Sequence, residues 1–497
     1  MRRGIRTREG RSVRVAILVA ASASLVGLAS ISPEAAGRSS GQTSPSPGAA
    51  SPGAASPGKP IRGLRARPHR PVRSIALRPG QGAHHPIEPR RPARCDKDID
   101  LTGQILGVSP VSHQNNGICT SADIDVYATN GASYVVQAGG EEAAWTHTDV
   151  SDPANPSLGG RQFVWVNANG RPNRGTYTPD IKAFKQGSRR YIAMGLERLR
   201  VRAFCGVVIV DVTDPDNPVL QSQFIGSGSP GGFWCDTHNV FVENDGAGDG
   251  KYIYATADAT NDMRVLQISG AVGTATASVT NPIEIGRYTS PTANANNYVH
   301  DITVINHVGQ RRAYLAYWDT GLVILDAADV TPGVNPNPLV GPNKIDPPGF
   351  LAHHAYPNAA GTRVFVQDEI TFTASFEPVQ MWDIGGIPGT APTYVDGITP
   401  DVGQGGELVP AHNLHVDGSR LYVGWYKAGL QAFTFDDSGI LGRSAYHQVQ
   451  TETRDDSYDG AWGVRLLTID PPGDDPAAMY VFQSDRRYGL IIDKLSP

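Results

Sequence analysis

From about residue 95 to residue 497 the chain is a succession of short β-branched and aromatic runs, each closed by Gly, Pro, Asp or Asn. YIYATAD (252–258), AYLAYWD (313–319), RVFVQDE (363–369), RLYVGWY (420–426) and MYVFQSD (479–485) form one series. Each is followed by a further run, as in GLVILDAADV (321–330), VQMWDIGGIP (379–388), GLQAFTFDDSG (429–439) and GLIIDKLSP (489–497). THNVFVE (237–243), HDITVIN (300–306) and AHNLHVD (411–417) precede them. Polarity alternates with period 2 rather than 3.6, which predicts strands and excludes helical solenoids. Landmarks of the first strand recur every 48 to 62 residues, with four strands per unit. That is the spacing of a β-propeller.

Seven units start near Cys119, Thr178, Cys235, Val299, Ala352, Ala411 and Asp459. The prediction is an all-β fold: a seven-bladed β-propeller of four-stranded blades spanning 95–497. The last unit holds only three strands before Pro497. An N-terminal strand, DIDLTGQILGV (98–108), is expected to close it, since closure removes an open sheet edge.

Composition divides the chain. Residues 1–94 carry 17 Lys/Arg against three Glu, and the remainder 26 Lys/Arg against 45 Asp/Glu. Residues 1–37 have the pattern of a Sec-type signal peptide: six arginines before an apolar stretch from Val15 to Leu28, then small residues. That stretch is too short to span a bilayer. Residues 38–94, rich in Pro, Gly, Ser and Arg, lack the apolar content to offset ordering entropy and are expected to be a disordered linker. The expected location is secreted, with the basic linker available for cell-wall association. An acidic body of this kind does not bind nucleic acid, and a monomer is expected. The four cysteines allow three connectivities, of which sequence order favours Cys95–Cys119 and Cys205–Cys235.

Aligning the first strands places Asp123, Asp180, His238, His300, His353, His412 and Gly460 in one column around the channel. Four neighbouring blades contribute His. Imidazole suits Zn, Cu, Fe and Ni, so His238, His300, His353 and His412 are candidate ligands of a transition-metal ion. The same residues also fit a structural network of hydrogen bonds in the channel. Metal-bound His needs an orienting partner on its far nitrogen; the adjacent Asp236, Asn239, Asp301, His354 and Asn413 are candidates. The second strands end on Glu197, Asp258, Asp319, Glu369 and Asp485, which should put carboxylates on the same face. Phe233, Trp234, Trp318, Trp425, Tyr426 and Trp462 fall near it, as a stacking rim or as packing lids. DGAGDG (245–250) reads as a hairpin turn rather than a calcium loop.

GVVIVDVTDPDNP, with YLAYWDTGLVILD and AHNLHVDGSRLYVGWYKAGLQAF, resembles the LVIVD-repeat family of exported β-propellers. The resemblance implies the fold and export but no single activity. The architecture and His placement are more distantly similar to selenium-binding propellers of the methanethiol oxidase type and to the carotenoid oxygenases, whose axial His hold metal. Two functions are therefore expected. One is a secreted binding or scaffold module that recognises a protein, glycan or small molecule at the channel face. The other is a metal-dependent enzyme (Cu, Fe, Mn or Zn), most plausibly an oxidoreductase using the four His.

Overall fold

The computed structural model describes Leu101 and most of residues 104–496, together with the backbone of Leu64–Arg67. Outside it fall 1–63, 68–100, 116–119, 166–172 apart from the rest, 227–233, 370–376, 399–408, 450–457 and some isolated positions. The signal peptide and the Cys95–Cys119 pair lie there, as does most of the linker.

The described residues form seven antiparallel blades. Blade 2 is representative, a meander of Thr176–Gln186, Arg189–Arg198, Gly206–Asp211 and Val219–Phe224. The innermost strands of the seven blades are Ile124–Thr129, Thr176–Gln186, Val240–Asn244, Asp301–His307, Ala352–Pro357, Leu414–Asp417 and Ala461–Ile469. Each packs beside the next, and that of blade 7 packs beside that of blade 1, so the ring closes. Blade 4 has three strands, with the outer position held by a bridge between Ile324 and Val340. No helix among the described residues is long and apolar enough to cross a membrane.

The recurrent Asp after each third strand has a local cause. Asp149, Asp211, Asp383 and Asp436 each accept the backbone N–H two residues on, at 3.0, 2.9, 2.8 and 2.7 Å. These Asx turns end the strand and reverse the chain. The third strands themselves, such as Gly206–Asp211, are buried along their length because blades cover both faces. DGAGDG is the hairpin turn between Val240–Asn244 and Gly250–Ala257, with Asp245 accepting from Ala247 and Asp249.

An N-terminal strand does complete blade 7, but not the segment 98–108. Val108–Gln114 pairs with Gly489–Leu495, while Gln104–Leu106 adds a fifth strand to blade 6. Gly107, at φ +63°, turns the chain from one blade to the next, and a Cβ there would lie 2.1 Å from the Ser444 carbonyl oxygen. Within the expected linker, Leu64–Arg67 pairs with Gln162–Trp165 on the outer edge of blade 1. An exposed edge offers unpaired N–H and C=O groups to any extended segment nearby. The Cys205–Cys235 disulfide, with Cα atoms 5.2 Å apart, ties the third strand of blade 2 to the start of blade 3.

Candidate metal centre

The innermost strands bring two tiers of side chains to the channel. Asp180 pairs with Gly195, Asp301 with Ala316, His354 with Gln367 and Gly463 with Ser484. In the other blades Asp123, Asn239 and Asn413 accept from Ala138, Thr256 and Gly424, at 2.9, 3.0 and 3.0 Å. These seven positions are one tier. The residues just before them, Ala122, Pro179, His238, His300, His353, His412 and Trp462, are the other. The column read from repeat spacing mixes the two: Asp123 and Asp180 sit one residue beyond the His level, and blade 7 contributes Trp462 and Gly463 instead of Gly460. Blades 2 and 7 begin with a register shift, and a bulge re-aims side chains without altering the repeat length visibly; blade 1 pairs without one, and Asp123 is one residue further along its strand.

The four His form an arc across blades 3 to 6. Their ring centroids are 4.5 Å (His238–His300), 4.1 Å (His300–His353) and 4.4 Å (His353–His412) apart. All four are buried. Three have Nδ1 engaged from outside the arc. Glu197 contacts Nδ1 of His238, the Gln367 amide contacts Nδ1 of His353, and the Trp462 carbonyl lies 2.8 Å from Nδ1 of His412. At His238 and His412 a carboxylate or carbonyl on Nδ1 fixes the tautomer and leaves the Nε2 lone pair for a ligand bond, whereas at His353 the Gln367 amide nitrogen donates to Nδ1. Glu369 sits among the remaining nitrogens, 3.3 Å from His353 Nε2 and 3.7 Å from His412 Nε2, and accepts from the Tyr426 hydroxyl.

Ligand atoms of His300, His353 and Glu369 lie within 4.8 Å of one another, as do those of Glu197, His238 and Asp258. Burial lowers the pKa of the His238 ring, but the facing Glu197 outweighs it and raises it to about 9. Burial, reinforced by Glu197, pushes the Asp258 carboxyl well above the usual range. A cation placed between these groups would relieve the repulsion that the proton otherwise relieves.

The carboxylate face also resolves by register. Two residues past the pairing position, the second strands carry Gly140, Glu197, Asp258, Trp318, Glu369, Tyr426 and Arg486. Glu197, Asp258 and Glu369 are in this ring; Asp319 and Asp485 are each one residue out of it. Asp319 is exposed, and Asp485 caps a turn by accepting from the backbone of Arg487 and Tyr488 at 2.9 and 3.0 Å. Asp485 ends its strand, where a one-residue offset turns a side chain away, and Asp319 already lies in the turn beyond Trp318.

The adjacent residues expected to orient the His make other contacts. Asp236 pairs with Arg198 at 2.8 Å, and Asn239 donates to the His300 carbonyl at 2.8 Å. Asn413 donates to Asp123 at 2.8 Å, and His354 accepts from the Leu414 N–H at 2.8 Å. The deeper tier is internally neutralised by two cations. Lys182 bridges Asp123, at 2.5 Å, and Asp180, while Arg465 lies 3.6 Å from Asp123. Burial favours a raised pKa at Asp123, but Lys182 and Arg465 hold it well below the carboxylate range. Burial and then the neighbouring Asp123 push Asp180 up, to about 7, and burial drives Asp301 well up.

The aromatics are lids. Trp234, Trp425, Tyr426 and Trp462 are buried; Trp462 packs on His412 at 4.0 Å and Trp318 stacks on His300 at 4.9 Å. Phe233 lies outside the described residues. His307 and His447 are away from the arc: His307 contacts Tyr314 at 2.8 Å, and His447 pairs with buried Asp493 at 2.7 Å. Sequence reasoning missed Lys182, Gln367, Arg465 and Arg486. Gln367 and Lys182 each stand two residues from a residue already singled out, which is same-face spacing on a strand.

No protein-family model matches the chain, and no curated protein does either. Among solved structures, a chain of "Crystal Structure of Mitotic Checkpoint Complex" is similar at a TM-score of 0.46 and 11% identity, over 81% of this chain and 98% of that one.

Proposed function

We propose that this protein is an exported, metal-dependent propeller enzyme acting on a small molecule, with one transition-metal ion held by Nε2 of His300, His353 and His412 and by Glu369. The observation that carries this reading is the cluster itself: ligand atoms of His300, His353 and Glu369 lie within 4.8 Å of one another, and beside them the Trp462 carbonyl on Nδ1 of His412 leaves that ring's Nε2 as the ligand nitrogen. His238, oriented by Glu197 and next to Asp258, extends the same donor set. His and carboxylate donors without thiolates suit Zn, Cu, Fe or Mn. Such an ion supplies Lewis acidity or redox chemistry in a site closed to bulk water. Glu369 and Asp258 stand where a proton could be taken up or released beside it.

Export and LVIVD-type membership belong to the proposal, supported by the charge pattern of residues 1–37 and by GVVIVDVTDPDNP. The scaffold alternative has less support. Among the described residues the large exposed apolar ones, Leu106, Tyr394 and Leu441, lie on outer strands rather than at the channel. Elemental analysis of the purified protein, loaded in turn with Cu, Fe, Mn and Zn, tests the reading. Near-stoichiometric metal is expected, with most of it lost in His300→Ala, His353→Ala, His412→Ala and Glu369→Gln. His307→Ala should retain it. A parent protein that holds no metal under any loading leaves the binding-module reading in its place.

A further inference from the structure

The ring that carries Glu197, Asp258 and Glu369 is completed in blade 7 by Arg486. This side chain is 9% exposed, and its Nε is buried without a hydrogen-bond partner among the described residues. Its guanidinium carbon lies 4.7 Å over the Trp462 ring, the ring that packs on His412. Among the described residues it has no ion pair, and Tyr426 and Tyr177 are its principal electrostatic neighbours, followed by Glu141 and Asp459. Asp459 is paired with Arg487, at 3.9 Å. The contrast with the deeper tier is sharp: there Lys182 and Arg465 each sit on carboxylates. An arginine this buried is normally matched by an anion, because an uncompensated charge in the interior costs far more than a neutral side chain.

The surroundings indicate where that anion sits. Opposite the His arc, blades 1 and 2 place Ala122 and Pro179 at the His level, and blade 1 places Gly140 in the ring beside Arg486. Among the described residues the tier and ring positions between Arg486 and Glu197 are thus small or apolar, with Glu141 beside Gly140 and the Tyr177 ring 6.2 Å from that of His238 at the border. The ring's own charge discriminates among anions. Carboxylates at Glu197 and Glu369 repel a dianion more than a monoanion, and a planar guanidinium fork matches a carboxylate in two parallel hydrogen bonds.

We propose that Arg486 is the anchor of a substrate subsite, and that it binds the carboxylate of a small organic acid whose body lies along Ala122, Pro179 and Gly140, facing the His arc. This names the substrate class of the site proposed above and rests on that reading for the chemistry, though the binding itself needs no metal.

Binding is measured on the full chain stripped with EDTA and again after metal loading, by calorimetry and thermal shift with acetate, benzoate and inorganic phosphate. Saturable binding of the carboxylates to the stripped protein is expected, weakened roughly 30-fold or more in Arg486→Gln and partly restored in Arg486→Lys. Without added anion, Arg486→Gln should melt no lower than the parent, since it removes an unmatched charge. A structural arginine would instead lower Tm in the variant. Carboxylate binding that is absent, or equal in parent and Arg486→Gln, overturns the proposal, as does preference for phosphate. Failure of the metal reading shows separately, as a metal-free protein that still binds carboxylates.

Discussion

His147, on the third strand of blade 1, makes the propeller's acid response calculable. The ring is fully buried, Nε2 lies 2.6 Å from the Tyr127 hydroxyl, and Nδ1 has no partner among the described residues. Burial, assisted by the positive charge of Arg161, lowers its pKa from 6.5 to about 3. The folded pKa is thus below the unfolded one. Stability linked to this group is whole above the unfolded value and is lost as pH falls toward the folded value, because the unfolded chain takes up the proton first. Integrating that difference gives a loss of about 2 kcal/mol at pH 5 relative to neutral pH, and about 5 kcal/mol below pH 3. His147→Gln retains an acceptor for Tyr127 but cannot be charged. Urea unfolding at pH 7 and pH 5 should show the variant losing about 2 kcal/mol less than the parent between the two. Any fixed packing cost of the substitution cancels in this difference. Identical pH dependence in the two proteins would show that His147 is solvated, or already charged, in the fold, and the reasoning would be wrong.

Gly107→Ala should lower Tm by a few degrees, because a left-handed residue with a Cβ costs about 1–2 kcal/mol and this Cβ would collide with the Ser444 carbonyl; an unchanged melting curve would contradict the role given to that turn. Lys182→Met strands Asp123 and Asp180 and should cost about 3–5 kcal/mol in chemical unfolding, with Lys182→Met/Asp180→Asn recovering part of it; no recovery would argue against their coupling. Removing the Cys205–Cys235 bridge, whose cysteines are 30 residues apart, should cost about 3 kcal/mol, read as a Tm drop in the double Ser variant that reductant does not enlarge. His447→Ala should keep its metal yet unfold more easily, by about 3 kcal/mol or more, since it leaves Asp493 buried without its partner; metal loss without destabilisation would place His447 in the wrong part of the molecule.

Much of the architecture is legible without coordinates because its causes are local. Period-2 apolar runs, and an Asp that bonds the N–H two residues on, make strand and turn within a few residues of chain, so seven repeats and their closure by an N-terminal strand could be read directly. The four His could be read too, because side chains at one register position of consecutive blades must meet around the axis. Tertiary structure alone decided what surrounds them. The single step that separates the His level from Asp123 and Asp180 leaves no mark in residue type, and Asp319 and Asp485 were each misplaced by one residue. The orienting groups come from elsewhere in the chain: Glu197 is 41 residues from His238, and the Trp462 carbonyl is 50 residues from His412. The closing strand moved from 98–108 to Val108–Gln114 because Gly107 permits a reversal that apolar pattern does not mark. Arg486 is the clearest case. Beside Asp485 in sequence it looks like half of a surface ion pair, and only the ring of blades reveals a buried cation with no ion pair among the described residues, because charge matching depends on neighbours in space rather than along the chain.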